Sequence, residues 1–131
     1  MKTKMIWANL ASSDLEKTAR FYTDLGFKEN CQRTEELISI VFAENNFVIN
    51  FFATKRFESA LKGKSTNTKN ENEIIFSFSA DSREDVDRWF EKVKQAGGTI
   101  FSEPENFEVG YTFGFADPDG HKYNFLYWPG M

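Results

Sequence analysis

Few residues of this chain could do chemistry. It has one histidine, His121, one cysteine, Cys31, and a carboxylate cluster at Glu103, Glu105 and Glu108. Tyr111 opens the strand that leads into the last tight turn, Asp117-Pro118-Asp119-Gly120, and Lys122 opens the strand that follows it. One imidazole cannot build a transition-metal site without help. His121 reads as a turn or edge histidine. One thiol excludes an internal disulfide, a cysteine-rich zinc site and a CxxC redox pair. No histidine lies near Cys31 in sequence to activate it, so a structural or merely exposed thiol is expected. A calcium loop would need more carboxylates and more length than Asp117 and Asp119 provide, so a bare turn is expected there. The catalytic candidates are Tyr111, Lys122 and Glu108, which could titrate or donate near a pocket mouth. The Glu103 to Glu108 segment could serve as a lid.

Two asparagines stand out by position. Val48-Ile49-Asn50-Phe51 and Lys122-Tyr123-Asn124-Phe125 each follow a tight turn, so Asn50 and Asn124 hold equivalent places in strand-like segments. Asparagine is disfavoured in strands. Its repetition points either to a shared structural hydrogen bond, or a relic of an older site, or to ligand contact.

The elements that must position these residues read as follows. Ser13-Asp14-Leu15-Glu16 has capping-box spacing, and Leu15, Ala19, Tyr22 and Leu25 recur at helical period before Gly26. A second helix starts at Ser82 with Asp85 three residues on, runs through Val86, Trp89 or Phe90, Val93 and Ala96, and stops at Gly97-Gly98. Strands are expected at 5–10, 27–31, 37–43, 47–53, 74–79, 99–102, 111–116 and 122–128. Glu44-Asn45-Asn46 makes a hairpin, and Pro118 and Gly120 preset the last turn. Phe57 and Leu61 mark a short helix before the polar stretch Ser65 to Glu73, a natural linker. The chain thus repeats strand, helix, strand, strand, strand. The expected fold is α+β: one domain of two βαβββ modules, about 1–64 and 74–131, joined by residues 65–73.

Size and charge narrow the classes. The chain has 131 residues, and a domain of that mass buries about two-thirds of its unfolded surface. Acidic residues outnumber basic ones, 20 to 16, which argues against nucleic acid as a partner. No apolar run is long enough to span a bilayer. The opening residues turn polar too quickly for a signal peptide. A cytoplasmic protein is expected. The aromatic content is high, with 15 Phe, four Tyr and three Trp. Aromatics on both faces of a sheet need cover on both sides or a pocket on one.

The duplication, with DLEKTARFYTDLGF in the first unit and FADPDGHKYNFLYW at the end, resembles the vicinal oxygen chelate superfamily. That group contains glyoxalase I, extradiol dioxygenases, fosfomycin-modifying enzymes and bleomycin resistance proteins. The resemblance covers essentially the whole chain. It implies a U-shaped sheet with helices outside, and often a metal held by two residues per unit, on the first and last strands. Seven residues before Asp14 is Trp7, and the last-strand position of that unit is Asn50; the second unit offers Ile75 and Asn124. None is an imidazole or carboxylate, so no metal and no other cofactor is expected. The arginine that glyoxalase I uses for glutathione falls on Ala11 here.

If the family register holds, Trp7, Asn9 and Ala11 share the cleft face with Val48, Asn50 and Phe52. Ile75, Ser77 and Ser79 join Lys122, Asn124, Leu126 and Trp128 on it. Phe51, Phe76, Phe78, Tyr123 and Phe125 then pack under the helices. The ligand-binding cleft is assigned to Trp7, Asn9, Asn50, Phe52, Ile75, Ser77, Asn124 and Trp128. Apolar walls with a few neutral polar groups suit a small, partly aromatic molecule. The resemblance to drug-sequestering members implies a homodimer. Two other readings stay open. One is a lactoylglutathione lyase-like or dioxygenase-like enzyme with an atypical divalent metal site or a metal-free mechanism. The other is a regulatory domain whose cleft is filled by Trp7 and Phe52.

Overall fold

Helix starts and stops set the frame. Asp14 caps the first helix, its Oδ1 accepting from the Lys17 amide at 3.1 Å, so the cap is Asp14 and not Ser13. Gly26 then turns the chain at a φ of 98°, a conformation that costs glycine nothing. Ser82 caps the main helix of the second half by accepting from the Asp85 amide at 3.0 Å. The Asp85 carboxylate reaches back to the Asp81 amide.

The computed structural model describes residues 1–130. Their elements are β1 (Ala8–Ser12), α1 (Leu15–Asp24), β2 (Lys28–Glu29), β3 (Leu37–Phe42), β4 (Phe47–Ala53), α2 (Thr54–Leu61), β5 (Ile75–Ser79), α3 (Arg83–Gln95), β6 (Thr99–Phe107), β7 (Gly110–Ala116) and β8 (Lys122–Tyr127). Two compact units result, Met1–Thr66 and Asn67–Met131. Each carries a mixed four-stranded sheet, ordered β1-β4-β3-β2 in the first and β5-β8-β7-β6 in the second. The first strand of each unit runs parallel to the last, and the remaining pairs are antiparallel. The α+β fold of two repeated βαβββ units is therefore present.

In the first unit, α1 buries Ala19, Phe21 and Tyr22 against Ile38, Ile40, Phe42, Ile49 and Phe51. Tyr22 stacks on Phe51 with centroids 4.9 Å apart. In the second, Trp89 stacks on Phe125 at 4.3 Å and Phe90 meets Phe113 edge-on at 5.4 Å. Both members of the Trp89-Phe90 pair are used. Tyr123 is fully buried, and Phe78 stacks against it. Residues alternate across a strand, so Asn50 and Asn124 face away from α1 and α3.

Strand boundaries shift by one residue at β3, β5, β7 and β8 and by more at β1, β2 and β6. Strand β1 begins at Ala8 rather than Met5, so Trp7 precedes it. Strand β2 is only Lys28–Glu29. Strand β6 runs on to Phe107 instead of ending at Ser102, because bulges let it keep pairing with β7. Trp128 lies just past β8. The polar stretch after Ser65 is not a loose linker: Thr68 Oγ1 donates to the Asp119 carbonyl at 2.5 Å, and Asn72 Nδ2 to the Gly120 carbonyl at 3.0 Å. No helix among the described residues is long and apolar enough to cross a membrane.

Candidate functional site

The face of the first sheet opposite α1 carries one polar row across three strands. Asn9 of β1 pairs with Asn50 of β4, which pairs with Ser39 of β3. Asn50 Nδ2 donates to Asn9 Oδ1 at 3.2 Å. Beyond β2, Asn30 Nδ2 donates to Ser39 Oγ at 3.3 Å. Apolar rows flank it, with Val48 beside Val41 and Phe52 beside Leu37. The Arg56 guanidinium lies 5.6 Å from the Phe52 ring centroid. Trp7, next to β1, is half exposed.

The second sheet repeats the row with different chemistry. Ser77 of β5 pairs with Asn124 of β8, which pairs with Gly114 of β7. Asn124 Oδ1 is buried and accepts no hydrogen bond. Where the first unit has a serine, this one has no side chain, and the Phe101 ring fills the gap. A Cβ on Gly114 would stand 2.5 Å from Phe101 Cζ. Phe101 is the extra residue of a bulge, since Ile100 and Ser102 face consecutive residues of β7. Lys122 Nζ sits 4.6 Å from its ring centroid. At the other end of β7, the Trp128 ring lies against Gly110, 2.8 Å from where a Cβ would be, and near Phe107. Ile75 is half exposed and Ser77 is exposed.

The remaining candidates lie elsewhere. Tyr111 shares its strand face with Phe113 and therefore looks toward α3. Its hydroxyl donates to Asp87 Oδ1 at 2.8 Å, and Arg83 lies 5.3 Å from its ring centroid. That hydrogen bond, then desolvation and the Asp87 charge, raise its pKa against a smaller opposing pull from Arg83. Glu108 is exposed in the β6–β7 turn at a φ of 52°. Glu103 and Glu105 are strand residues of β6, so the lid expected there is instead the edge of a sheet. His121 is buried, and its amide donates to Asp117 Oδ1 at 2.9 Å to close the turn. Cys31 is exposed.

A divalent ion does not fit the residues that the resemblance aligns with the family's metal ligands. Trp7 offers only an N–H, and Ile75 offers nothing. The Asn50 amide is engaged with Asn9. Among the described residues, no group of three or more His, Cys, Asp or Glu could hold a metal ion.

Sequence reading missed Phe101, Gly114, Gly110, Ser39 and Asn30. A glycine inside the aromatic run Tyr111 to Ala116 was the available signal, because a strand-interior glycine marks a close approach. Phe101 left no signal: a bulge breaks the period-two pattern that assigns faces.

No curated protein matches the chain. Solved structures do. Protein SA1046 from S. aureus, described as hypothetical, is 32% identical, with a TM-score of 0.86 over 98% of this chain and 96% of that one. A glyoxalase-related enzyme from Fulvimarina pelagi has a TM-score of 0.83 at 22% identity, covering 97% and 90%. The fosfomycin resistance protein FosX from Mesorhizobium loti gives 0.70 at 16%, covering 99% and 96%. These last two likenesses show the fold alone. Residues 4–125 match the Glyoxalase/Bleomycin resistance protein/Dioxygenase superfamily, and the chain belongs to it.

Proposed function

We propose that this protein binds a small, partly aromatic molecule on the sheet faces opposite α1 and α3, without a divalent metal. One observation carries the reading. The four positions that the resemblance aligns with the superfamily's metal ligands are Trp7, Asn50, Ile75 and Asn124, set among aromatic side chains and neutral amides and hydroxyls. Neutral amides orient a ligand by hydrogen bonds and bind divalent ions weakly. Trp7, Asn9, Asn50 and Phe52 provide one such surface, and Ile75, Ser77, Asn124 and Trp128 the other. The protein works as a homodimer in the cytoplasm; a lone exposed thiol suits a reducing compartment.

Elemental analysis of untagged protein, followed by titration with nickel, zinc, manganese and iron(II), tests the metal half. Stoichiometric tight binding would overturn it and restore the glyoxalase-like or dioxygenase-like enzyme. For the binding half, the probe is 8-anilinonaphthalene-1-sulfonate, read by tryptophan quenching. A saturable response that changes in Trp7→Ala is expected. A response unchanged by that substitution counts against Trp7 as a wall.

A further inference from the structure

Three features of the second unit meet at one spot on its helix-free face. Gly114 leaves a recess, and the tip of the Phe101 ring already fills it, with Cζ 2.5 Å and Cε1 2.6 Å from the missing Cβ. Directly across the ladder is Asn124, whose Oδ1 is buried without a donor. A phenyl ring beside such a group cannot supply the hydrogen bond that water would make. Phe101 itself sits at the margin of the sheet. It is the unpaired residue of a bulge, on the edge strand of its sheet, and 42% exposed.

We propose that the Gly114 recess is a binding site for a flat aromatic or heteroaromatic molecule carrying an N–H or O–H donor, and that Phe101 is its intramolecular placeholder. The ligand ring takes the place of the Phe101 ring over Gly114, and its donor pairs with Asn124 Oδ1. The Lys122 ammonium, now 4.6 Å from the Phe101 centroid, is placed to pass to the π-face of the incoming ring. The glycine is needed because a Cβ would exclude either ring. The proposal rests on the reading of a partly aromatic ligand given above and specifies its chemistry.

The test uses indole, 1-methylindole and benzofuran, which share a bicyclic shape and differ in the hydrogen-bonding character of one ring position. Each is titrated into the full chain with amide chemical shifts as the readout. The wild type should bind indole about threefold to tenfold more tightly than the other two, the worth of one hydrogen bond. Phe101→Ala should tighten all three, by the inverse of the fraction of time the recess is open. Phe101→Leu, which keeps apolar bulk without a ring, reads the same effect if the alanine variant fails to fold. Asn124→Ala should lose the preference for indole while keeping its affinity for 1-methylindole. Equal affinity for indole and 1-methylindole in the wild type overturns the acceptor role of Asn124, and tightest binding of benzofuran reverses its polarity. Weaker binding by both Phe101 variants makes that ring a wall rather than a placeholder. Binding that shifts residues remote from Gly114 and Asn124 overturns this inference alone. No binding by any probe overturns it together with the function on which it rests.

Discussion

Asn50 donates to Asn9 across the parallel β1–β4 pair at 3.2 Å, whereas Asn124 at the matching place in the second unit has a buried Oδ1 with no donor. The duplicated asparagines have therefore diverged: one is tied into its own sheet and the other is left open. A paired amide contributes about 0.5–1.5 kcal/mol, while a buried unpaired one costs about 1–3 kcal/mol.

The two positions should answer mutation with opposite signs. Asn124→Leu keeps the volume and removes the unpaired acceptor, so stability should be unchanged or higher by up to about 1 kcal/mol. Asn9→Ala, at an exposed site, should lower it by less than about 1 kcal/mol. Urea midpoints at constant slope report both, and a marked loss in Asn124→Leu would show that its oxygen has a partner in solution.

Gly110 and Gly114 separate a rigid neighbour from a movable one. A Cβ on Gly110 meets the Tyr127 carbonyl oxygen at 2.5 Å, a backbone atom that cannot step aside. Gly110→Ala should cost about 1–3 kcal/mol. In Gly114→Ala the obstacle is the Phe101 ring, which can swing into solvent, so the loss should stay below about 1 kcal/mol. Combining Gly114→Ala with Phe101→Ala should add nothing further. Thermal unfolding of the three variants checks the order, and equal losses for the two glycines would refute it.

Tyr111 gives the second unit an alkaline dependence. Its hydrogen bond to Asp87 raises the phenol above its ordinary value of 10.0. The folded chain then holds this proton where the unfolded chain has begun to lose it. The contribution is complete below the unfolded pKa and declines as pH rises through the folded one. Tyr111→Phe should remove that slope, measured as urea stability from about pH 8 to pH 11. An identical slope in the variant would place the titration elsewhere.

Chelation should leave the protein unaffected. With neutral residues at the family's ligand positions, dialysis against EDTA should not move the melting temperature. A clear drop, reversed by one added metal, would mean that other residues supply a site.

The sequence by itself determined the two-unit plan. Helix caps at Asp14 and Ser82, strand alternation and the turns at Asn45 and Gly120 are local signals, each set by a few neighbouring residues. Alternation also sufficed to put Phe51, Tyr123 and Phe125 under the helices and Asn50 and Asn124 on the opposite faces. What the tertiary structure decided was how each polar residue ended up paired. Asn50 meets Asn9 across 41 positions of chain, and Tyr111 is turned to Asp87 rather than to the face of Asn124. Phe101 reaches Gly114 only because a bulge shifts the register of β6. Hydrogen-bond partners distant in sequence depend on strand register, and a single extra residue re-aims a side chain without leaving a mark on the pattern.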